Sequence, residues 1–140
     1  MIKKHDCKEE LRQVNLKVTP ARLGVLAALE SASSPLDTGN LTSYLSGHGI
    51  KVDRVTVFRI INILTDRGLA KPVLFDDGKL RYDYGSRPEH HHFVCEKCGR
   101  VEMVSNCVLK PLEKKLQKTK GFFIRRHSLE FFGLCAKCLK

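Results

Sequence analysis

Apolar residues recur with helical spacing in the first half of the chain and predict two helices before residue 50. In "KVTPARLGVLAALE", Thr19 is predicted to be the N-cap and Pro20 the first helical residue. The apolar face of this helix is predicted to contain Leu23, Leu26, Ala27 and Leu29. A shorter helix is predicted to follow the cap Asp37, with an inward face of Leu41, Tyr44 and Leu45.

A third helix and a hairpin complete the pattern of this half. The helix is predicted to start after the cap Asp53, to end with Gly68 at the C′ position, and to bury Val55, Phe58, Ile61 and Leu64. The turn "DDGK" then lies between two runs of β-forming residues, which is a hairpin signal. Three helices followed by a hairpin is the order of a winged helix-turn-helix.

In a winged helix, the second helix of the turn enters the major groove of DNA. The polar edge of the third predicted helix would therefore present Arg54, Thr56 and Arg59 to DNA. Arginine suits both guanine edges and phosphates, so these side chains could read bases or anchor the backbone. The alternative is that the three helices are ordinary amphipathic helices with solvated charges, because helical periodicity alone is not specific.

Length and polarity limit the class of protein. A chain of 140 residues has room for one compact domain or two very small ones, and small domains often need a metal or disulfides. No apolar run approaches the roughly 18 residues of a membrane helix, and the start "MIKKHDCKEE" lacks the apolar stretch of a signal peptide. We therefore expect a cytoplasmic protein that does not interact with membranes.

The formal net charge of +10 favours a polyanionic partner such as nucleic acid. The excess lies mainly in the second half, because residues 1–85 contain 13 basic and 10 acidic side chains while residues 86–140 contain 12 and 5. Charge alone therefore does not locate a DNA-binding face. The segment "GSRP", residues 85–88, separates the two halves and is predicted to be a hinge.

Four of the six cysteines form two CxxC pairs, Cys95 with Cys98 and Cys135 with Cys138. Four thiolates around one cation, with no open position, describe a structural zinc site. The pairs lie far apart in sequence, so a helix and strands are expected to pack between them. Metal ligation suits the reducing cytosol better than disulfides do, and the competing interpretations are a redox-active CxxC and an iron–sulfur cluster.

The stretch "EHHHFVC" is predicted to be a strand that leads into the first CxxC pair. Alternate side chains of a strand point to opposite faces, so His90 and His92 would share one face and Glu89 and His91 the other. Imidazole and carboxylate ligands can take zinc, iron or manganese, which predicts at least one metal site besides the thiolate site. The alternative is a solvated polar strand.

No histidine–carboxylate pair is coupled to a recognisable nucleophile or phosphate loop. We therefore expect that this protein is not an enzyme.

The chain resembles the ferric uptake regulator family of bacterial metal-dependent transcription repressors. The resemblance is carried by "LKVTPARLGVL", "RVTVFRIINIL", "GLAKPVLFDDGKLRYDY", "HHHFVCEKCGRV" and "HSLEFFGLCAKC", which run from Leu16 to Cys138. It implies an α+β protein with a winged-helix DNA-binding domain at 1–84, a hinge at 85–88, and a small α/β dimerisation and metal-binding domain at 89–140. The implied partners are double-stranded operator DNA and a second copy of the chain.

The resemblance also implies ligand sets. The structural Zn²⁺ site of the family falls on Cys95, Cys98, Cys135 and Cys138. Its regulatory site near the hinge falls on Asp83, His90 and His92, and a further site falls on Glu89, His91 and His127. The residues predicted to contact DNA are Lys17, Arg54, Thr56, Phe58 and Arg59; of these, Phe58 stands where the family commonly has a tyrosine.

Three positions depart from the family pattern. Pro35 and Met103 stand where a histidine and a carboxylate usually complete the regulatory site, and Lys110 stands where a helix carboxylate usually completes the further site. The regulatory ion therefore stays open between Fe²⁺, Mn²⁺ and Zn²⁺. The expected function is a homodimeric, metal-responsive repressor of metal-uptake or stress genes; the alternatives are a sensor of peroxide or zinc within the same family, and a thiol-redox or metal-handling protein.

Overall fold

The computed structural model describes residues 6–140 and divides into two compact units. One unit ends at Arg87 and the other comprises Pro88–Lys140. The boundary falls inside the segment 85–88. That the first unit binds DNA and the second forms the dimer stays a prediction.

The first unit contains four helices, α1 Cys7–Gln13, α2 Pro20–Ser31, α3 Thr38–Gly47 and α4 Arg54–Asp66. The last three are the predicted helices. Helix α1 was not predicted, because its seven residues are mostly polar and Leu11 is its only fully buried apolar side chain. So short a segment offers no readable period.

The predicted caps of α2, α3 and α4 are confirmed. Thr19 Oγ1 accepts from the amide of Arg22 at 3.2 Å, and Asp53 Oδ1 accepts from the amide of Thr56 at 2.7 Å. Asp37 forms a reciprocal capping box with Asn40, with bonds of 2.7 and 3.0 Å. Helix α4 ends where predicted, with Gly68 in the left-handed conformation at φ 77°.

The predicted inward face of α4 is partly wrong. Ile61 and Leu64 are fully buried, but Val55 is 57% exposed and Phe58 is 51% exposed. Successive residues are rotated by about 100° around the helix axis, so residues three positions apart fall about 60° short of a full turn. Four residues at this constant spacing therefore cannot all lie on one face of the helix. The face that enters the core is made of Val57, Ile60, Ile61 and Leu64.

The faces of α2 and α3 are closer to the prediction. Leu26 and Leu29 of α2 and both predicted leucines of α3 are buried, while Leu23, Ala27 and Tyr44 are only partly buried. In α2 the remaining buried positions are taken by Val25 and Ala28. These side chains belong to one apolar core that also includes residues of α1, α4 and the hairpin.

The predicted hairpin follows α4. Strand β1, Ala70–Leu74, pairs antiparallel with β2, Leu80–Tyr84. Gly78 in the turn has φ 74°, a conformation that glycine adopts without strain. Backbone bonds between Leu36 and Tyr82, of 3.0 and 2.8 Å, join the hairpin to the segment before α3.

The second unit is built on a three-stranded sheet. Its central strand β3, His91–Cys95, is antiparallel to β4, Val101–Val104, and parallel to β5, Glu130–Gly133. Helix α5, Lys110–Lys120, lies between β4 and β5 in sequence, and the short helix α6, Ala136–Leu139, follows β5. Helices and strands in both units confirm the predicted α+β class. Within residues 6–140, no helix has the length and apolar character needed to cross a membrane.

Candidate metal centres and nucleic-acid interface

The two CxxC pairs converge on one point. The first pair follows β3, and the second lies around the start of α6, which β5 delivers to the same place because β5 is parallel to β3 with Cys95 opposite Gly133. The four sulfur atoms lie within 4.8 Å of one another, and Cys98 Sγ is 3.8 Å from Cys135 Sγ. Tetrahedral Zn–S bonds of about 2.3 Å require sulfur atoms about 3.8 Å apart. The donor set and its spacing therefore fit a tetrahedral ion.

Backbone amides prepare this cluster for a cation. The amides of Cys98 and Cys135 donate to Cys95 Sγ at 3.5 and 3.4 Å, and they lower the pKa of Cys95 to about 6. The amide of Cys138 likewise lowers the pKa of Cys135. The hydrogen bond with Cys135 raises the pKa of Cys138 to about 12, so without a metal the thiols share protons that a cation would displace.

His90 and His92 lie together before and within β3. Their rings meet edge to face with centroids 4.9 Å apart, and His92 is buried. His90 Nδ1 is 2.8 Å from the carbonyl oxygen of Pro88, an acceptor that selects the tautomer with its proton on Nδ1. In that tautomer Nε2 carries the lone pair through which a histidine can ligate a cation. Asp83, the third predicted ligand, is buried on β2 in the first unit.

The sheet register clarifies the departure at Met103. Met103 pairs with His92 across β3 and β4, and directly paired residues of antiparallel strands share a face. Glu102 pairs instead with Phe93 and forms an exposed ion pair with Arg100 at 2.6 Å. The carboxylate next to Met103 thus points away from the histidine face, as the alternation of a strand requires.

A second cluster in the same unit contains all three residues of the predicted further site. Nε2 of His127 lies 3.1 Å from a carboxylate oxygen of Glu89 and 3.4 Å from Nε2 of His91. Two unpredicted residues join them: Cys107 Sγ is 3.2 Å from Nε2 of both histidines, and Glu113 of α5 contacts Nδ1 of His127. The sequence signal that could have indicated them is a cysteine outside both CxxC pairs, Cys107, followed by the carboxylate Glu113 in the first turn of a helix.

The residues predicted to contact DNA lie on the surface of the first unit. Arg54, Phe58 and Arg59 are exposed on α4, Thr56 is partly buried, and Lys17 is exposed before α2. Asp53, the cap of α4, has a lowered pKa because of its hydrogen bonds with Thr56, and it remains charged near neutral pH. Because Arg54, Phe58 and Arg59 are exposed, they lie on the side of α4 opposite its buried residues.

Cys7 is not part of a metal cluster among the described residues. Its thiol donates to Glu30 at 3.1 Å. Burial and that hydrogen bond raise the pKa of Cys7 to about 12, so little thiolate exists at neutral pH. This thiol is a natural control for experiments on the other cysteines.

Several characterised proteins are similar to nearly the whole chain. The ferric uptake regulation protein of Neisseria meningitidis is 29% identical over 130 residues, which are 92% of this chain and 90% of the relative. The peroxide-responsive repressor PerR of Staphylococcus aureus is 26% identical over 128 residues, 91% and 86% of the two chains. The solved structure of the Vibrio cholerae ferric uptake regulator superposes with a TM-score of 0.79 at 28% identity, covering 93% of this chain and all of that one.

The sequence profile of the ferric uptake regulator family matches residues 13–132. This range includes helices α2 to α4 and the hairpin of the first unit, the strand of histidines and the first CxxC pair. The chain therefore belongs to the ferric uptake regulator family and is a metal-responsive, DNA-binding transcription regulator, not an enzyme.

Proposed function

We propose that this protein is a cytoplasmic homodimer that represses metal-uptake or stress genes by binding operator DNA when a regulatory ion is loaded. The observation that carries this proposal is the outer surface of α4. It begins at a capped N-terminus, buries one stripe in the core, and exposes two arginines and an aromatic side chain on the other side.

Helix α4 is proposed as the recognition helix. Arg54 and Arg59 supply guanidinium groups for phosphates or guanine, and the half-exposed Phe58 supplies an apolar surface for a thymine methyl group. The exposed side chains of Phe58 and Val55 add nothing to the hydrophobic stabilisation of the first unit, because apolar area stabilises the fold only when it is buried. Contact with DNA would cover such a surface.

The four clustered cysteines are proposed to hold a structural Zn²⁺. Their spacing suits zinc, the set has no open position, and the amides around Cys95 favour the thiolate form that ligation requires. Among the described residues, every member of the apolar core cluster precedes Pro88. The second unit therefore lacks a comparable apolar core and needs another source of stability, which a structural metal supplies.

The same deficit supports a dimer through the second unit. This unit of 53 residues exposes several large apolar side chains, among them Phe123 at 83%, Val108 at 77% and Phe131 at 46%. Apolar area of this kind on a small domain is typical of a surface that a partner covers. The proposed partner is a second copy of the chain.

Asp83, His90 and His92 are proposed to bind the regulatory ion. Asp83 ends the hairpin of the DNA-binding unit and the histidines begin the other unit, so an ion held by all three would restrict their relative placement. Such an ion regulates DNA binding only if the DNA-competent arrangement binds it more tightly, and DNA must then tighten metal binding by the same factor. Fe²⁺, Mn²⁺ and Zn²⁺ are the candidates, with water or another side chain completing the coordination.

The test combines metal analysis with DNA selection. Protein purified without chelators is analysed for bound metals, and the full-length chain is then incubated with a pool of randomised DNA duplexes in Fe²⁺, Mn²⁺, Zn²⁺ or no added metal. Enrichment of one palindromic sequence in the presence of one ion, and its loss without that ion, is the expected result. Failure to enrich any duplex in all four conditions, by a protein that is folded and dimeric, would contradict the proposal.

A further inference from the structure

We infer that Cys107 is a thiolate ligand in the second cluster, and that this makes the cluster a tetrahedral site selective for zinc-like ions. The residues of the site are Glu89, His91, Cys107 and His127, all within the second unit. The inference goes beyond the proposed function because it requires neither DNA binding nor the regulatory ion. It assigns a chemical role to a cysteine that the sequence left without one.

The distances match those of a coordinated ion. Tetrahedral bonds of about 2.05 Å to nitrogen and 2.3 Å to sulfur place two nitrogens about 3.3 Å apart and a nitrogen about 3.6 Å from a sulfur. The two Nε2 atoms are 3.4 Å apart, and each lies 3.2 Å from Cys107 Sγ. The donor atoms of His91, Cys107 and His127 lie within 4.8 Å of one another. Glu89 Oε1, 3.1 Å from His127 Nε2, is the proposed fourth donor.

The contacts of His127 are those of a metal-ligating histidine. Its Nδ1 atom contacts the carboxylate of Glu113, which can only accept a hydrogen bond when ionised. The proton of a neutral His127 is therefore on Nδ1, and the lone pair of Nε2 points towards Cys107, His91 and Glu89. A carboxylate behind a metal-ligating histidine is the usual arrangement that fixes the tautomer and raises ligand basicity.

A thiolate changes which ions the site prefers. Carboxylate and imidazole ligands alone accept Fe²⁺ and Mn²⁺, whereas a thiolate favours softer ions, and a four-donor tetrahedral set favours Zn²⁺. The ligands also come from separate segments: β3 and the residues just before it, the loop before α5, and the segment between α5 and β5. An ion here would hold α5 and these loops together in a unit that lacks an extensive apolar core.

The test uses Co²⁺ as a spectroscopic substitute for zinc in the chain of 140 residues. The four clustered cysteines are first loaded with zinc, so that among the described residues Cys107 is the remaining cysteine in a candidate metal cluster. His90→Ala/His92→Ala serves as the background and removes the two histidines of the proposed regulatory site. Cobalt should then produce one thiolate-to-metal charge-transfer band with the visible absorption of a tetrahedral ion. Cys107→Ala in that background should abolish the band and weaken binding at least about 100-fold, the upper end of what loss of an outer ligand partner costs.

Two further variants distinguish a ligand from a structural residue. Cys7→Ser should leave the band and the affinity unchanged, and Cys107→Asp should keep a metal site without the charge-transfer band while shifting the preference from Zn²⁺ towards Mn²⁺. Absence of the band in the parental background would overturn the inference even if Cys107→Ala failed to fold. Unchanged cobalt affinity in Cys107→Ala would also overturn it, whereas the proposed repressor function would stand in either case.

Discussion

At the scale of single residues, the arrangement of donors decides which side chains hold metal and which stay inert. Cys7 and Cys98 are both thiols, but Cys7 lies against the carboxylate of Glu30 and Cys98 lies 3.8 Å from another thiol in a four-sulfur cluster. The first environment stabilises the protonated form, and the second offers four sulfur donors to a cation.

Cys98→Ser should remove one zinc per chain and unfold the second unit. Structural zinc contributes on the order of 10 kcal/mol to folding in small metal domains, far more than the loss of one hydrogen bond. Zinc content is measured by mass spectrometry under native conditions, and unfolding by circular dichroism. Cys7→Ser is the matched control and should retain wild-type zinc. A Cys98→Ser variant with full zinc content and an unchanged melting temperature would disprove the assignment.

Arg59→Ala should weaken DNA binding and lower the magnitude of the salt slope by about one unit, because one phosphate contact releases about one counterion. The measurement is the dissociation constant of the selected duplex at several salt concentrations. Lys137→Ala removes the same charge from α6 of the second unit and should leave the slope unchanged. Equal slopes for Arg59→Ala and the wild type would place the recognition surface elsewhere.

At the scale of secondary-structure elements, the contact between α2 and α3 depends on a residue without a side chain. A Cβ atom on Gly24 would lie 2.3 Å from Leu45 Cδ2 and 3.0 Å from Ile50 Cδ1. Leu45 is fully buried, so it has little room to move. The close approach of these helices explains why α2 tolerates a glycine in its middle.

Gly24→Ala should therefore destabilise the first unit. The intrinsic helix preference gains about 1 kcal/mol, but overpacking a buried contact costs roughly 1–3 kcal/mol and is expected to dominate. Chemical denaturation followed by circular dichroism gives the difference. Gly47→Ala in α3 is the matched control, since an added Cβ meets nothing within 4 Å, and it should be neutral or slightly stabilising. Stabilisation by both substitutions would show that Leu45 can move aside.

At the scale of the whole molecule, the proposed regulatory ion would link the two units, since Asp83 belongs to the first unit and His90 and His92 belong to the second. The His90→Ala/His92→Ala variant should keep its structural zinc and remain a dimer, but lose the dependence of DNA binding on added metal. The measurements are zinc content, sedimentation and DNA titrations at increasing metal concentration. A metal response with the wild-type midpoint would exclude these histidines and direct attention to the cluster around His127.

The sequence alone determined the features that depend on local spacing. Caps at Thr19, Asp37 and Asp53, the turn around Gly78 and the end of α4 at Gly68 each involve residues only a few positions apart. The same holds for each CxxC pair and for the separation of His91 from His92 on opposite sides of a strand. The family resemblance added what local spacing could not supply, including the placement of Glu89, His91 and His127 in one site.

The tertiary structure decided which side of α4 is buried and how the second cluster is composed. Helical spacing predicted a stripe through Val55 and Phe58, but the core lies on the side of Val57 and Ile60. Cys107, Glu113 and His127 meet only because the segments flanking α5 return to the face of β3 that carries His91. Such contacts between distant segments depend on strand pairing and helix packing, which no short spacing in the sequence encodes.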